Sequence, residues 1–496
     1  MELYWHPYRY YPYERELALR EINTLLSPEG VFDTGHSLRL EGTFDANITD
    51  RLVYFAAVSI GERFVPTIQA KLERVNGNGP NRQSTRYSAH GLHEYKGKFN
   101  PQIARAILNI LRVPVGARVL DPFCGSGTSL LECSHIGMNA VGTDINPMAV
   151  FLANAKLSAL RLLASRLRQE IEGTIERYKR VNGAKKLASD ERTNYLQGWF
   201  EAKMLVRIEA LRVAIYESGP EYATLLLSIA SNLLRDYSLQ DPRDLRIRRR
   251  KTPLPEKPFI EAFRQAANLF VSRLEDAQSV LARPPVAGKA FLLDSRSIKL
   301  GSGGIGTSKF DCALTSPPYA TALPYIDTQR LSLVWLGLVP PSEILALEAR
   351  LVGSREVRGK GKKDLLSALA ENRCALPKKQ ADYCRMLQTV LAKNDGFRRQ
   401  AVPLLLYRYF AAMAEAFKSV RDCVKDKAPF ALIVGSNRTV LGGKRFEIDT
   451  PRHLAEIASS CGWTHEETVP LQTYQRWGYH MSNAVNSEAL VIVRAE

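Results

Sequence analysis

Two consecutive prolines, Pro317 and Pro318, set the strongest local limit on how this chain can fold. They follow Phe310-Asp-Cys-Ala-Leu-Thr-Ser316, whose apolar run over 310–314 reads as a buried strand. Proline has no N–H to give to a sheet ladder, so the strand has to stop there. Its last carbonyls are then left at the sheet rim, beside the Ser316 hydroxyl and the Tyr319 ring. In open α/β sheets ligands sit beyond the carboxyl ends of strands. The Ser316 hydroxyl, the Pro317 carbonyl and the Tyr319 face could together hold a flat group bearing an exocyclic amine. Taken alone, these residues fit an ordinary Pro-Pro turn equally well.

Upstream, the pattern of a doubly wound sheet emerges. Asn100-Pro101 is a good helix start, and 116–120 leads into a strand that ends at Asp121-Pro-Phe-Cys-Gly-Ser-Gly-Thr128. A helix over 129–136 and a second strand over 140–143 follow, the latter ending in Asp144, and Asn146-Pro147 opens another helix. Further strands are expected at 290–294, 310–314 and 430–435. Two more at 467–473 and 488–494 read as an antiparallel pair at the edge. From 156 to 285, Leu, Ile and Arg recur at three- and four-residue spacing, which predicts an all-helical insertion. The first 85 residues mix a helical run, strand-like pieces and a partly helical segment over 51–74, then the turn-rich Val75-Asn-Gly-Asn-Gly-Pro-Asn-Arg82. The expected fold is therefore a Rossmann-like α/β core with a seven-strand, mostly parallel sheet and an antiparallel edge. Its parts are an N-terminal accessory domain and linker (1–85), a first core half (86–155), the insertion (156–285) and a second core half (286–496).

Gly125 and Gly127 let the backbone turn sharply and approach a ligand closely. The spacing is not that of a dinucleotide fingerprint, because Leu130 stands where a third glycine belongs, and Asp121 would repel a pyrophosphate. A cofactor carrying positive charge suits the site better, and S-adenosylmethionine carries an ammonium and a sulfonium. Asp144 is placed to accept from ribose hydroxyls, and Asp294 (or its neighbour Ser295) ends the third strand where an adenine amine would lie. Phe99 and Phe123 flank the cofactor or serve the core. Thr128 and Ile145, beside the glycine turn and Asp144, complete the candidate cofactor set.

The formal charge of +17 favours a polyanionic partner, nucleic acid first, over a merely solvated basic surface. Seven scattered cysteines without a C-x-x-C pair argue for free thiols, no zinc knuckle and a cytoplasmic setting. No apolar run reaches membrane-spanning length, no signal-peptide core opens the chain, and no metal site is expected. The run Arg243-Asp-Leu-Arg-Ile-Arg-Arg-Arg-Lys251 reads as a phosphate-contacting patch or a solvated face. Lys96 and Lys98 stand in a solvated turn or touch phosphate, and His90 and His93 read as structural. Tyr325, Asp327 and Arg330 line a base pocket or only cap a helix over 331–338. The segment 354–363 reads as a flexible basic loop and 340–400 as loops, while Arg476-Trp-Gly-Tyr479 is a candidate substrate contact.

Asp121-Pro-Phe-Cys-Gly-Ser-Gly-Thr128 resembles the cofactor motif of S-adenosylmethionine-dependent amino-methyltransferases of nucleic-acid bases, and Thr315-Ser-Pro-Pro-Tyr319 their catalytic motif. His93-Glu-Tyr-Lys-Gly-Lys-Phe-Asn-Pro101 resembles the segment covering the methionine end of the cofactor. The resemblance spans 86–155 and 286–496. It implies S-adenosylmethionine as cofactor and Ser316, Pro317, Pro318 and Tyr319 as the catalytic residues. Serine before Pro-Pro-Tyr is similar to the cytosine-N4 enzymes of the family. The implied activity is methylation of an exocyclic amine in DNA, with RNA (guanine N2 of tRNA) as the alternative. A non-catalytic nucleic-acid-binding protein of this fold stays open too. A restriction or defence system would add protein partners that one chain does not reveal.

Overall fold

The structure is a computed structural model that describes residues 1–73, 83–181, 187–244, 247–281, 288–320, 325–355, 357, 360–472 and 487–496. The chain begins with β1 (Glu2–Trp5), α1 (Pro12–Leu25), β2 (Gly30–Asp33), β3 (Ser37–Glu41), β4 (Phe55–Ile60), β5 (Arg63–Pro66) and α2 (Ile68–Glu73). The core opens with α3 (Pro101–Ile110), β6 (Arg118–Asp121), α4 (Thr128–His135), β7 (Asn139–Asp144) and α5 (Pro147–Ala159). Five helices follow without a strand element among the described residues: α6 (Ala164–Val181), α7 (Glu191–Gln197), α8 (Ala202–Tyr216), α9 (Pro220–Leu233) and α10 (Phe259–Val280). The core resumes with β8 (Lys289–Leu292), β9 (Cys312–Thr315), α11 (Tyr325–Trp335), α12 (Ile344–Arg350), α13 (Lys360–Glu371), α14 (Lys378–Thr389) and α15 (Phe397–Cys423). It ends with β10 (Pro429–Gly435), β11 (Asn437–Leu441), β12 (Lys444–Ile448), α16 (Thr450–Ser459), β13 (Trp463–Gln472) and β14 (Ser487–Ala495).

The main sheet has seven strands in the order β13-β14-β10-β9-β6-β7-β8. Pairings from β10 to β8 are parallel, and β14 lies antiparallel to both β10 and β13. Alternation across the strands shows why both faces are covered. Val119, Cys312, Leu314, Ala431 and Ile433 face a core shared with α3, α4, α5 and the insertion. Leu120, Ala313, Phe430, Leu432 and Val434 face the opposite core, built with α14, α15 and α16. A parallel sheet buried on both sides needs apolar residues in succession, and these strands supply them.

Several expectations are corrected. The stretch 51–74, read as partly helical, does end in α2, but before it comes the β4–β5 hairpin of a five-stranded antiparallel sheet ordered β2-β3-β1-β4-β5. Its turn residue Gly61 sits at φ +60°, which only a chain without a Cβ adopts easily. The region 340–400, read as loops, holds α12, α13, α14 and the start of α15 among its described residues, with α13 beginning inside the Lys-rich stretch. α15 starts at Phe397 and carries Pro403 in its interior. The turn at Val75–Arg82 and the loop at Arg476–Tyr479 lie outside the described residues.

The N-terminal sheet is fastened to the core through polar contacts that are themselves buried. Asn109 of α3 donates to Glu21 of α1 at 2.5 Å and accepts from Arg51 at 2.8 Å. A second knot surrounds Glu132 of α4. Its carboxylate receives Arg105 Nε at 2.6 Å and the Tyr87 hydroxyl at 2.9 Å, and it meets His90 Nε2 at 2.6 Å. All four side chains are buried, so His90 is the hydrogen-bonded structural residue that its sequence setting suggested. Burial alone would raise the Glu132 carboxyl, but Arg105 and then His135 overcome it and hold it well below the usual carboxylate range.

Replacing Glu132 with Gln leaves Arg105 buried without its counter-charge, so unfolding free energy should drop by about 3–5 kcal/mol. Denaturant titration measures it, and an unchanged midpoint would contradict this account. A carboxyl depressed by folding stabilises above its unfolded pKa of about 4.3 and loses that contribution below it. Wild-type stability should therefore fall on acidification through that window, and the fall should be smaller in E132Q.

Candidate active site

The cleft lies where β6 has β7 on one side and β9 on the other, the point at which the winding of the sheet reverses. The turn after β6 is held tightly. Cys124 N donates to Thr143 O at 3.0 Å, and the Thr143 hydroxyl donates to Pro122 O at 3.0 Å. Gly127 sits at φ +81°, and a Cβ there would lie 2.8 Å from that of Ala153 on α5. Any side chain would wedge the turn off the helix. One turn further along α5, the fully buried Lys156 donates to Ser126 O at 3.0 Å and to Ser126 Oγ at 2.8 Å. Burial pushes its amine well below the usual lysine range. Lys156 therefore props the glycine turn from beneath, a role the sequence pattern did not signal.

Two carboxylates face this turn. Asp144 accepts from Gly125 N at 3.0 Å and from Asn146 N at 2.8 Å. Asp121 accepts from the Thr315 hydroxyl at 2.6 Å and from Phe123 N at 3.1 Å. Neither has an ion-pair partner among the described residues. Burial pushes Asp121 up to about 6. Asp144 is pushed the same way, although it borders the open cleft, where water softens the effect.

Two adjoining cavities make up the cleft. The larger, about 470 Å³ including space open to solvent, is lined by Tyr95, Phe123, Gly125, Asp144, Asn146, Ser316, Pro318, Leu351 and Val352 among others. The smaller, about 280 Å³, is lined by Phe99, Asp121, Cys124, Ser126 and Thr128, and again by Tyr95, Phe123, Gly125 and Ser316. The glycine turn and the Pro-Pro turn thus share one cleft, and Ser316 borders both parts. Its hydroxyl donates to Ile433 O at 3.3 Å.

Of the residues singled out in the sequence, Lys98, Phe99, Asp121, Phe123, Gly125, Thr128, Asp144, Ser316 and Pro318 line the cleft. Gly127, Ile145, Pro317 and Tyr319 neighbour lining residues without lining it themselves. The Tyr319 hydroxyl donates to Glu488 of β14 at 2.6 Å, which fixes its ring. Asp294 is not among the lining residues: β8 ends at Leu292, and the carboxylate is engaged by Arg296 at 2.9 and 2.5 Å. Asp327 and Arg330 pair with each other at 2.9 Å. Lys96 pairs with Glu94 and Lys98 is half-buried against Thr85 O, so Lys98 is no solvated turn residue. Leu351 and Val352 were missed because a turn after a helix carries no pattern of its own. Gly353, at φ +77°, explains their place: a Cβ there would meet Tyr319 O at 2.8 Å, so this turn lies directly on the Pro-Pro turn.

Two acids with no ion-pair partner among the described residues fit a ligand that brings its own positive charge, and the donor set fits S-adenosylmethionine. Lys98, which lines the smaller cavity, is turned to Thr85 O and its amine is pushed down by burial. Asp144 keeps acceptor capacity for ribose hydroxyls and Asp121 for an ammonium group. No described helix is long and apolar enough to cross a membrane. The buried group His90, Glu132 and His135 has ligand atoms close enough together for a metal ion, but Arg105 already occupies the carboxylate.

The family model of UPF0020, described as an RMKL-like methyltransferase domain, matches residues 92–202. The chain is 46% identical over 68 residues to the Type II methyltransferase M.MjaII of Methanocaldococcus jannaschii, covering 14% of this chain and 13% of that one. It is 24% identical over 274 residues to the Type II methyltransferase M.MvaI of Kocuria varians, covering 51% and 59%. It is also 44% identical over 52 residues to the tRNA (guanine(10)-N2)-dimethyltransferase of Methanothermobacter thermautotrophicus, covering 10% and 16%. The chain thus spans less than two thirds of each of these relatives. Strand order, glycine turn and family match together make this a Rossmann-like methyltransferase fold, and S-adenosylmethionine is the cofactor that goes with it.

Proposed function

We propose that this protein methylates an exocyclic amine of a base in DNA, cytosine N4 by preference. The observation that carries the reading is the position of Ser316. It borders both parts of the cleft, and its proton is directed at the Ile433 carbonyl, so its lone pairs remain as acceptors. S-adenosylmethionine supplies an electrophilic sulfonium methyl when bound. Ser316 Oγ and the Pro317 carbonyl accept from the amine N–H groups, draw the nitrogen lone pair out of conjugation and aim it along the line of transfer. The Tyr319 ring, held by Glu488, stacks on a base that has left its helix. Asp121 and Asp144, with Phe99, Phe123, Gly125, Gly127, Thr128 and Ile145, hold the cofactor, and Asp294 reaches it only if Arg296 lets go.

The Type II methyltransferase relatives support DNA as the polymer, and partnership with an endonuclease or another defence protein goes with that reading. The insertion at 156–285 and the helices over 340–400 are the segments we assign to target recognition. Seven free thiols support a reducing, cytoplasmic setting. The second reading, guanine N2 of tRNA, is favoured by the tRNA dimethyltransferase match. Mass spectrometry of nucleosides from DNA and tRNA of expressing cells separates the two. N4-methylcytosine in DNA is the expected product, and methylguanosine confined to tRNA would replace the first reading with the second.

Ser316→Ala should lower kcat by on the order of a hundredfold while cofactor affinity stays near wild type. Single-turnover methyl transfer with calorimetry measures both, and an unaltered rate would remove Ser316 from the chemistry. Asp144→Asn should weaken cofactor binding roughly ten- to hundredfold. The raised Asp121 carboxyl gives a pH signature. Below about 6 the free protein takes up a proton that a cationic ligand must expel, so affinity should decline as pH falls through that value. Calorimetry between pH 5 and 7.5 tests the sign, and a flat profile would mean that no cationic part of the cofactor meets Asp121.

A further inference from the structure

The arginine-rich run noted in the sequence is a hairpin on a fixed base. Arg250 N donates to Leu239 O and Asp241 N to Arg248 O, each at 2.8 Å, with Gln240 and Arg249 bridged antiparallel between them. The base is tied down on two sides. Leu239 N donates to Trp199 O at 2.7 Å, and the Arg249 guanidinium lies 4.7 Å from the centre of the Trp199 ring. Arg250 Nη1 donates to Asp236 O at 2.8 Å. Between 241 and 251 the chain carries six cations against two carboxylates. Asp241 and Asp244 approach Arg243 and Arg248 at 3.7 and 3.0 Å, and those two arginine side chains still expose 76% and 64% of their surface. Lys251 is exposed as well. A merely solvated face has no reason to collect an excess of this size beside a base fixed on two sides.

The hairpin is also joined to the cleft. Glu94, next to the cavity residue Tyr95, donates its N–H to Asn232 of α9 at 2.9 Å. Just past the end of α9, Arg235 donates to Asp241 O at 3.2 Å and to Asp244 O. The same insertion grips the helix that follows the Pro-Pro turn, where Arg192 of α7 donates to Trp335 O at the end of α11 at 3.1 and 2.9 Å.

We propose that the 239–251 hairpin is a phosphate-binding arm that holds the backbone of duplex DNA beside the base being methylated. This rests on the DNA reading above and adds where the duplex lies. Each cation that displaces a condensed counterion contributes about one unit to the salt dependence of binding.

The test compares the full chain with the triple variant R243Q/R248Q/K251Q and the double variant R243K/R248K, binding a fluorescent duplex over roughly 50–300 mM salt. The Gln variant should weaken binding at low salt on the order of tenfold or more and flatten the log–log salt slope by about 2 to 3. Its cofactor affinity and melting temperature should match wild type, and the Lys variant should keep the slope, because lysine still serves phosphate as a point charge. Wild-type slope and affinity in the Gln variant would overturn the proposal, as would a slope change seen only with tRNA. Methyl incorporation into DNA is scored separately. Its absence with a flattened slope refutes the DNA methylation reading while leaving the arm, and its presence with an unchanged slope refutes the arm alone.

Discussion

Asp121 and Thr315 are 194 positions apart in the chain, yet their side chains share a 2.6 Å hydrogen bond. That contact exists because β6 and β9 run side by side in parallel, with Val119 opposite Cys312 and Leu120 opposite Ala313. The cleft exists because of this pairing. The chain leaves β6 toward β7 on one flank and reaches β9 on the other, so the loops beyond the two strands part and leave a crevice between them. The glycine turn fills one wall and the Pro-Pro turn the other. An insertion of five helices between β7 and β8 leaves the arrangement intact, because it enters and leaves without touching the register of these strands.

Two acids close together in sequence show how differently the fold treats buried charge. Glu132 is given Arg105, two histidines and a tyrosine, and stays ionised. Asp121 is given a hydroxyl and a backbone N–H but no cation, and burial pushes it up to about 6. The first arrangement ties the 87–91 segment, α3 and α4 together. The second costs stability in the free protein, and a positively charged ligand would recover it. Sites that sacrifice stability in this manner are where function is expected to reside.

The core was legible where local signals agreed with the global fold. Asn100-Pro101 and Asn146-Pro147 open helices as written, with each Asn side chain accepting from the first turn. Asp121 and Asp144 end their strands as the pattern implied. Asp294 misled, because an acid after an apolar run looks the same whether it faces a ligand or caps a short turn against Arg296. The N-terminal sheet was legible only as strand-like pieces. Its strands are four to six residues long, too short for alternation to stand out, and β1 pairs with β3 and β4 across distances that no window captures. Lys156 sits on an apolar helix and shows its purpose only when Ser126 is found above it.

The outermost strand of the main sheet, β13, would ordinarily offer a row of unpaired backbone groups to any passing chain. Its register slips between His465 and Glu467, and Pro470 removes one donor from the ladder. Arg20 of α1 reaches over to Glu467 at 2.9 Å, so the first helix of the chain packs against this edge strand. The N-terminal segment therefore has a use apart from any catalysis. It shields a β edge from self-assembly, and a chain trimmed of it would be exposed to sheet-to-sheet association before it ever met a substrate.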